Sequence, residues 1–578
     1  MQKTPKRVPP PSPGASDMNL LAWFATCVSV FAFLFYYRQG EVLLYGDAIA
    51  HINIARRVFD SRTPGLLQLG TVWLPLPHLL MIPFIIFTRM WQSGAGGSIP
   101  SMAGYVFAVL GIFRLTRGVL HSKDNPDRYA RFAAWTAALI FAANPNLVYM
   151  QSTAMGETVY LAFFIWAVAY FAEWTRGHNT LTKSGLCLAA ACLTRYDGWF
   201  AAVTMMLAVP LIFARDMRSK AIPDHADDSG RAALQGRVRR DEETGASAPV
   251  VIKFFLIAAA APALWLAYNA IIYRNPLEFA NGPYSAKAIE RRTQNSGSPG
   301  HPGTGNPALA GLYFLKSAED NIAANEWLQR TWLLLAIASL CSAGILPAVA
   351  RASRPRILPP YSPALLFLLL PLPFYGLSVS YGGVPIFVPQ WWPFSHYNTR
   401  YGLQLLPAFA VGIAVLIYLF VTTKALNPRI RTAAVLIVFA LVALSYGSIW
   451  HSTPVTLKEA QLNMRTRNHL QIQVARWLEK LPPDATLLMY VGDHVGALER
   501  AAFALKRTIN EGNHRVWKQP ADPQGLWERA LADPGKYVDY VLAFEGDPVW
   551  QAVHDKHLHE LIELHVTGQP RAVLYAAR

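Results

Sequence analysis

Cysteine and charge are what this chain has least of. Four cysteines occur in 578 residues. Cys27, Cys187, Cys192 and Cys341 all lie inside apolar stretches. None has the spacing of a metal site, so they read as small core residues and no disulfide is expected. Only 15% of the residues are charged and 53% are hydrophobic, with a mean hydropathy of +0.22. Soluble domains carry about 25% charged residues, so a polytopic membrane protein is expected instead. No HxxxH, CxxC or glycine-rich phosphate loop stands out. Acidic residues are scarcer than basic ones, 36 against 52, for a formal net charge of +16. That surplus does not point to nucleic acid. Lysine and arginine gather in short loops between apolar runs, as cytoplasmic loops do under the positive-inside rule.

What the chain has in abundance is apolar sequence. A span needs about 20 such residues. Candidates are 18–38, 99–117, 132–149, 158–174, 184–195, 198–214, 251–273, 331–350, 358–379, 402–422 and 431–449. The first follows a basic, Pro-rich tail (1–17) and has no small-residue cleavage site, so it reads as a retained helix. A further run, VWLPLPHLLMIPFIIF (72–87), holds Pro75, Pro77 and Pro83, which disfavour a regular span. Charge decides its place. Left out of the count, it puts Lys3, Lys6, Arg7, Arg117, Lys123, Arg128, Arg131, Arg351, Arg354, Arg356, Lys424, Arg429 and Arg431 on the cytoplasmic side, with RDMRSK and GRVRR of 215–249. We therefore read 72–87 as a juxtamembrane or re-entrant helix.

The expected architecture is an α-helical polytopic membrane protein of about eleven transmembrane helices with a small C-terminal soluble α/β domain. The membrane part covers 18–450, with a cytoplasmic insertion at 215–249. A long outer loop at 274–330 contains SGSPGHPGTGNP, which reads as a mobile flap. From residue 451 the pattern changes. DATLLMYVG and KYVDYVLAF read as strands, HVGALERAAFALKR as a helix, and LIELHVTGQPRAVLYAA as a closing hairpin, placing 451–578 outside.

Ionisable groups at membrane depth are costly and by default functional. Asp47, His51, Glu157, Arg195, Asp197, His396 and Arg400 all fall at outer ends of spans in this topology. Each also has a plain structural explanation. Asp47 could be a solvated rim residue and His51 a core histidine. Glu157 suits a helix N-terminus, and Arg195 and Asp197 could simply pair at a short turn. Arg400 opens a helix, the wrong end for a cation, so an anion is expected beside it. Asp47 and His51 lie one helical turn apart and share a face.

The order of these motifs carries a resemblance: a lone acid in LLYGDAIAH, Glu157 after NPNLVYMQSTAMGET, an LTRYDG turn, then NTRYGLQLLPAFA. Over about residues 18–450 the chain resembles the multispanning glycosyltransferases of the GT-C superfamily, in pattern nearest the protein O-mannosyltransferases and the aminoarabinose transferases that modify lipid A. It departs from the mannosyltransferases in having a lone GD where they carry Asp-Glu, and QWWPF (390–394) is not the double-Trp-Asp signature of oligosaccharyltransferases.

The resemblance implies a hexosyl- or pentosyltransferase in the cell (inner) membrane that uses a polyprenyl-phosphate sugar. It would transfer with inversion to a hydroxyl of a lipid, glycan or protein on the extracytoplasmic face, with no nucleic-acid partner. Asp47 would be the general base, with His51 orienting it or sharing the proton, and Glu157 in support. Arg400, with Tyr401 and His396 as hydrogen-bond donors, would take the donor phosphate. Lys287, Arg291 and Arg292 of NGPYSAKAIERR offer a second phosphate grip, and Arg195 and Asp197 would be structural or position substrate. No cofactor is required; if a divalent cation binds, Asp47 and Glu157 would hold it between the loops. Two other readings stand beside this one. In a transporter or flippase for a lipid-linked sugar or other anion, paired repeats and mid-membrane charges are expected. In a scaffold for the C-terminal domain, the rim charges would be incidental.

The charge asymmetry makes a direct prediction. A cysteine introduced at residue 230 should be closed to an impermeant thiol reagent applied outside and open once the membrane is permeabilised. Labelling from outside would move every candidate residue to the opposite face.

Overall fold

The computed structural model describes residues 15–121, 125–221, 248–295, 300–340, 362–423, 427–492, 494–513 and 524–578. Most of the N-terminal tail and of the 215–249 insertion lies outside the described residues, as do Cys341, the second half of 331–350 and the start of 358–379. Among the described residues, six helices are long and apolar enough to cross a membrane: Ser16–Arg38, Ala95–Leu120, Ala248–Tyr273, Pro363–Ser380, Thr399–Thr422 and Pro428–Leu478. Leu181–Cys192 and Asp197–Ile212 are shorter apolar helices. The chain is an integral membrane protein.

One expected span differs in detail, and the prolyl run takes its form, for local reasons. The 132–149 stretch breaks in two because Asn144 accepts the Leu147 N–H at 3.0 Å, capping a new helix, Pro145–Met150, with proline in its first turn. The 72–87 stretch forms Pro75–Ile85, with Pro75 and Pro77 in a first turn that needs no N–H. At 11 residues it is about 16 Å long, roughly half a hydrocarbon core of about 30 Å.

Helix Ala95–Leu120 packs at the centre against Glu157–Trp174. Gly104 permits this approach: a Cβ there would stand 2.8 Å from the backbone of Thr158 and Val159. The close contact fixes the height of Glu157 at the N-terminal end of its helix. Around that point gather helix Gly46–Arg57, helix Pro75–Ile85 and the tight turn Thr399–Leu405.

Pro428–Ser452 ends at Thr453 (φ 72°), and Pro454 starts a second helix, Val455–Leu478, that leads into the C-terminal domain. There β1 (Leu487–Met489), β2 (Thr508–Ile509), β3 (Tyr540–Phe544), β4 (His559–Leu564) and β5 (Ala572–Ala576) form a sheet in the order β2-β1-β3-β5-β4. The β1–β2 and β1–β3 pairs are parallel, while β5 runs antiparallel to β3 and β4. A buried apolar cluster of Leu488, Val541, Ala543, Val549 and Val573 lies against it.

This domain docks on the segment between Asp60 and Gln92. Gln92 Nε2 donates to the Arg500 carbonyl at 2.7 Å, Lys506 N to Asp60 at 3.0 Å, and Gln68 Nε2 to the Gly512 carbonyl at 3.0 Å. At the centre, Asn53 Nδ2 donates to Glu499 Oε2 at 2.7 Å, and both residues are buried. Burial pushes the Glu499 carboxyl up to about 8, against the hydrogen bond from Asn53 and the charge of Arg500. Glu499 therefore keeps its proton in the fold up to about pH 8, whereas in the unfolded chain it ionises near 4.5. The docked state binds the extra proton, so stability is fully present below about pH 4.5 and falls as pH rises through about 8. Glu499→Gln, neutral at every pH, should melt like the parent at pH 4.5 and increasingly above it from there to pH 9. A constant difference across that range would contradict the buried, protonated Glu499.

Candidate functional site

The site is built around Arg400. Asn398 adopts a left-handed conformation (φ 56°), which asparagine tolerates better than most residues, and so turns the chain into the Thr399–Leu405 helix. Gly402 lets that turn lie on the backbone of Ser317 and Ala318, where a Cβ would collide. The turn aims the buried Arg400 side chain into a ring of acids. Its Nε donates to Glu157 Oε1 at 3.1 Å, its Nη1 to Glu459 Oε1 at 2.9 Å, and its Nη2 to Asp47 Oδ2. The Tyr45 and Tyr401 rings each lie 4.9 Å from the guanidinium.

Arg195 forms the second half. Its Nη1 donates to the same Glu157 oxygen at 3.2 Å and its Nε to Asp197 Oδ1 at 3.3 Å. Its Nη2 donates at 2.9 Å to the Tyr375 hydroxyl, which in turn donates to Asp197 Oδ2 at 2.8 Å. Tyr401 lies between the two arginines, 4.7 Å from Arg195. Two guanidinium groups thus meet four carboxyl groups, Asp47, Glu157, Asp197 and Glu459. With all six ionised, the cluster carries two negative charges in excess.

Exposure separates the acids. The Glu157, Glu459 and Asp197 side chains are 2%, 1% and 5% exposed, while that of Asp47 is 40% exposed. Only Asp47 can meet a reactant directly. Asp47 stands in the first turn of Gly46–Arg57, where a carboxylate suits the helix dipole.

His51, one turn further on, is turned to another partner. Its Nδ1 lies 2.8 Å from His78 Nε2 and its ring 4.8 Å from Trp73. Burial, reinforced by the charges of Arg400 and Arg195, pushes its imidazole down to about 3, so it is neutral. His78 Nδ1 is buried with no hydrogen-bond partner. An orphaned lone pair is more readily tolerated there than an orphaned N–H. On that ground His78 donates from Nε2 to His51 Nδ1, and the His51 proton sits on Nε2.

The remaining candidates stand apart. The His396 carbonyl accepts from Asn463 Nδ2 at 3.1 Å, and burial and Lys458 depress its imidazole. Lys287 Nζ lies 4.3 Å from the Tyr381 ring centre. Arg291 is exposed, and the Arg292 side chain lies outside the described residues. No described contact joins these four to the cluster.

Glu459 is the residue that the sequence reading missed. Beyond Arg400, its carboxylate accepts the N–H of Asn398 at 3.1 Å, the N–H of Thr399 at 2.7 Å and the Thr399 hydroxyl. It belongs to Val455–Leu478, read from sequence as part of the outer domain. The signal was an acid between Leu457 and Ala460, on the face that helix buries. Among the described residues no three His, Cys, Asp or Glu side chains gather as metal ligands. The Arg400 guanidinium occupies the ground between Asp47 and Glu157.

No family model matches the chain, and no curated protein matches it. Among solved structures it is similar to ArnT from Cupriavidus metallidurans bound to undecaprenyl phosphate. The TM-score is 0.52 and the identity 14%, with 98% of this chain and 98% of that chain covered. The apo form of the same protein gives 0.51 and 15%, covering 98% and 99%. The Archaeoglobus fulgidus oligosaccharyltransferase gives 0.45 and 13%, covering 92% of this chain and 70% of that one. The described residues thus share the fold seen in ArnT.

Glu459→Gln tests the ring itself. The amide offers one oxygen acceptor where the carboxylate offers two, and it removes a charge from Arg400. Loss of charged hydrogen bonds at about 1.5–3 kcal/mol each should lower the melting midpoint clearly. An unchanged midpoint would mean that Arg400 does not depend on Glu459.

Proposed function

We propose that this protein is a membrane glycosyltransferase with Asp47 as general base. It moves a sugar from a polyprenyl-phosphate-linked donor to an acceptor hydroxyl at its outer face, with inversion. One observation carries the reading: a single reachable carboxylate, held by a buried arginine, in a fold shared with ArnT, a protein seen with undecaprenyl phosphate bound.

The chemistry follows from which oxygen is committed. Arg400 Nη2 holds Asp47 Oδ2, so Oδ1 is the atom offered to the acceptor. As the acceptor oxygen bonds to the anomeric carbon, its proton passes to Asp47 Oδ1. The anomeric C–O bond breaks, and its electron pair leaves with the lipid phosphate. In-line attack from the face opposite the phosphate inverts the anomeric centre.

Glu157 and Glu459 act on Asp47 through Arg400. They hold the guanidinium whose Nη2 orients the Asp47 carboxylate. His51 is neutral and presents Nε2–H, so its role is to donate a hydrogen bond to substrate one turn from the base. The cluster's excess negative charge repels a phosphate, so Arg400 serves Asp47 first. The leaving group needs positive charge from outside the ring.

Asp47→Asn is nearly isosteric and cannot take the proton. Turnover should fall about 10²–10⁴-fold while folding and polyprenyl-phosphate binding persist. Glu157→Gln should cost less turnover and more stability. Purified Asp47→Asn that kept above about a tenth of parental turnover would remove Asp47 from the role. A larger turnover loss in Glu157→Gln would move the role to Glu157.

A further inference from the structure

The helix that carries the proposed base ends in a cation the mechanism has not used. Arg57 is the last residue of Gly46–Arg57. Among the described residues its guanidinium makes no hydrogen bond and no ion pair, and its Nε is shielded from water without a partner. Its sequence neighbour Arg56 is fully engaged. Arg56 binds Asp60 at 2.9 Å and the carbonyls of Ile85 and Ile86 at 2.6 and 3.0 Å. Arg195 and Arg400 are likewise committed to carboxylates.

A plain explanation is that a cation suits a helix C-terminus. That effect is worth about 0.3–1 kcal/mol at an exposed end. It does not account for a donor withdrawn from water and given no acceptor, which costs more. Burial lowers the Arg57 pKa, opposed by Glu511, Tyr273 and Tyr284, yet a guanidinium remains protonated. The charge thus persists at a place built from the ends of three elements: Gly46–Arg57, Ala248–Tyr273 and the loop carrying Tyr284. That loop leads directly into Ala286–Asn295. The charge of Arg57 reaches His78, the partner of His51. Arg57 is about 15 Å from Asp47 along the helix axis, with its side chain leaning back toward the base.

We propose that Arg57 is the anchor for a phosphate group at the mouth of the site, its planar fork taking two phosphate oxygens. This rests on the transferase reading for its purpose but not for its test. The phosphate can belong to the lipid-linked donor, with its sugar lying along the helix toward Asp47, or to a phosphorylated acceptor. The ring around Arg400 has no positive charge to spare for either.

The test is binding by the full-length protein, with no turnover required. Thermal stabilisation in detergent would be titrated with polyprenyl phosphate, with the matching polyprenol, and with a phosphorylated glycolipid beside its dephosphorylated form. Polyprenyl phosphate should stabilise the parent and polyprenol should not. Arg57→Gln should weaken that binding by about tenfold or more, with Arg57→Lys intermediate because it keeps charge and loses the fork. If polyprenyl phosphate binds parent and Arg57→Gln alike while the phosphorylated glycolipid loses affinity, the anchor stands and its phosphate is on the acceptor. If neither phosphate distinguishes the two proteins, or neither binds the parent, the proposal is overturned. Should Arg57→Gln fail to fold, equal affinity of Arg57→Lys and parent for both phosphates overturns it as well. An inactive parent whose phosphate binding still depended on Arg57 would sink the transferase reading and leave the anchor.

Discussion

A guanidinium withdrawn from water is the constraint on which this half of the molecule depends. Arg400 is 4% exposed, and an uncompensated charge at that depth costs several kcal/mol. Its three acids come from three separate segments: Asp47 after the first span, Glu157 at the head of a central helix, and Glu459 on Val455–Leu478. None can move without leaving a buried charge unpaired. The ring therefore ties the chain's two ends to its middle. It also fixes, without a separate device, the one carboxylate that remains reachable.

The C-terminal domain joins this arrangement through the same helix. Asn53 shares Gly46–Arg57 with Asp47 and takes both the Glu499 carboxyl at 2.7 Å and the Trp91 indole N–H at 3.1 Å. Buried polar contacts of this kind are costly when half made, so docking is specific in register. The domain thus steadies the far side of the helix that holds Asp47. Its own edge strand β4 stays largely exposed, away from that contact.

Charge balance orders the site into two regions. Around Arg400 and Arg195 the acids are in excess, which suits proton acceptance and disfavours a phosphate. At the opposite end of the same helix Arg57 makes no ion pair among the described residues. A helix of 12 residues thereby presents a basic atom near its first turn and a cation at its last. On the proposed reading a donor would use that polarity, with its anomeric carbon toward Asp47 and its phosphate toward Arg57.

Sequence by itself determined the class and much of the plan. Apolar runs and basic loops follow from the bilayer, which acts on local composition and leaves it legible. The short prolyl helix, the closing hairpin and the special standing of Asp47, Glu157, Arg195, Asp197 and Arg400 were readable for the same reason. Each is a local pattern, or a charge where the local pattern has no place for one. Tertiary structure alone decided who pairs with whom. Glu459 sits 59 residues from its arginine, on a helix whose composition suggests a soluble domain. His51 shares a face with Asp47 yet bonds His78, 27 residues away. Lys287 and Arg291 have the charge for a phosphate and lie apart from the ring. Pairing at such separations is set by how the helices pack and by which charges that packing removes from water, and no local feature of the sequence records it.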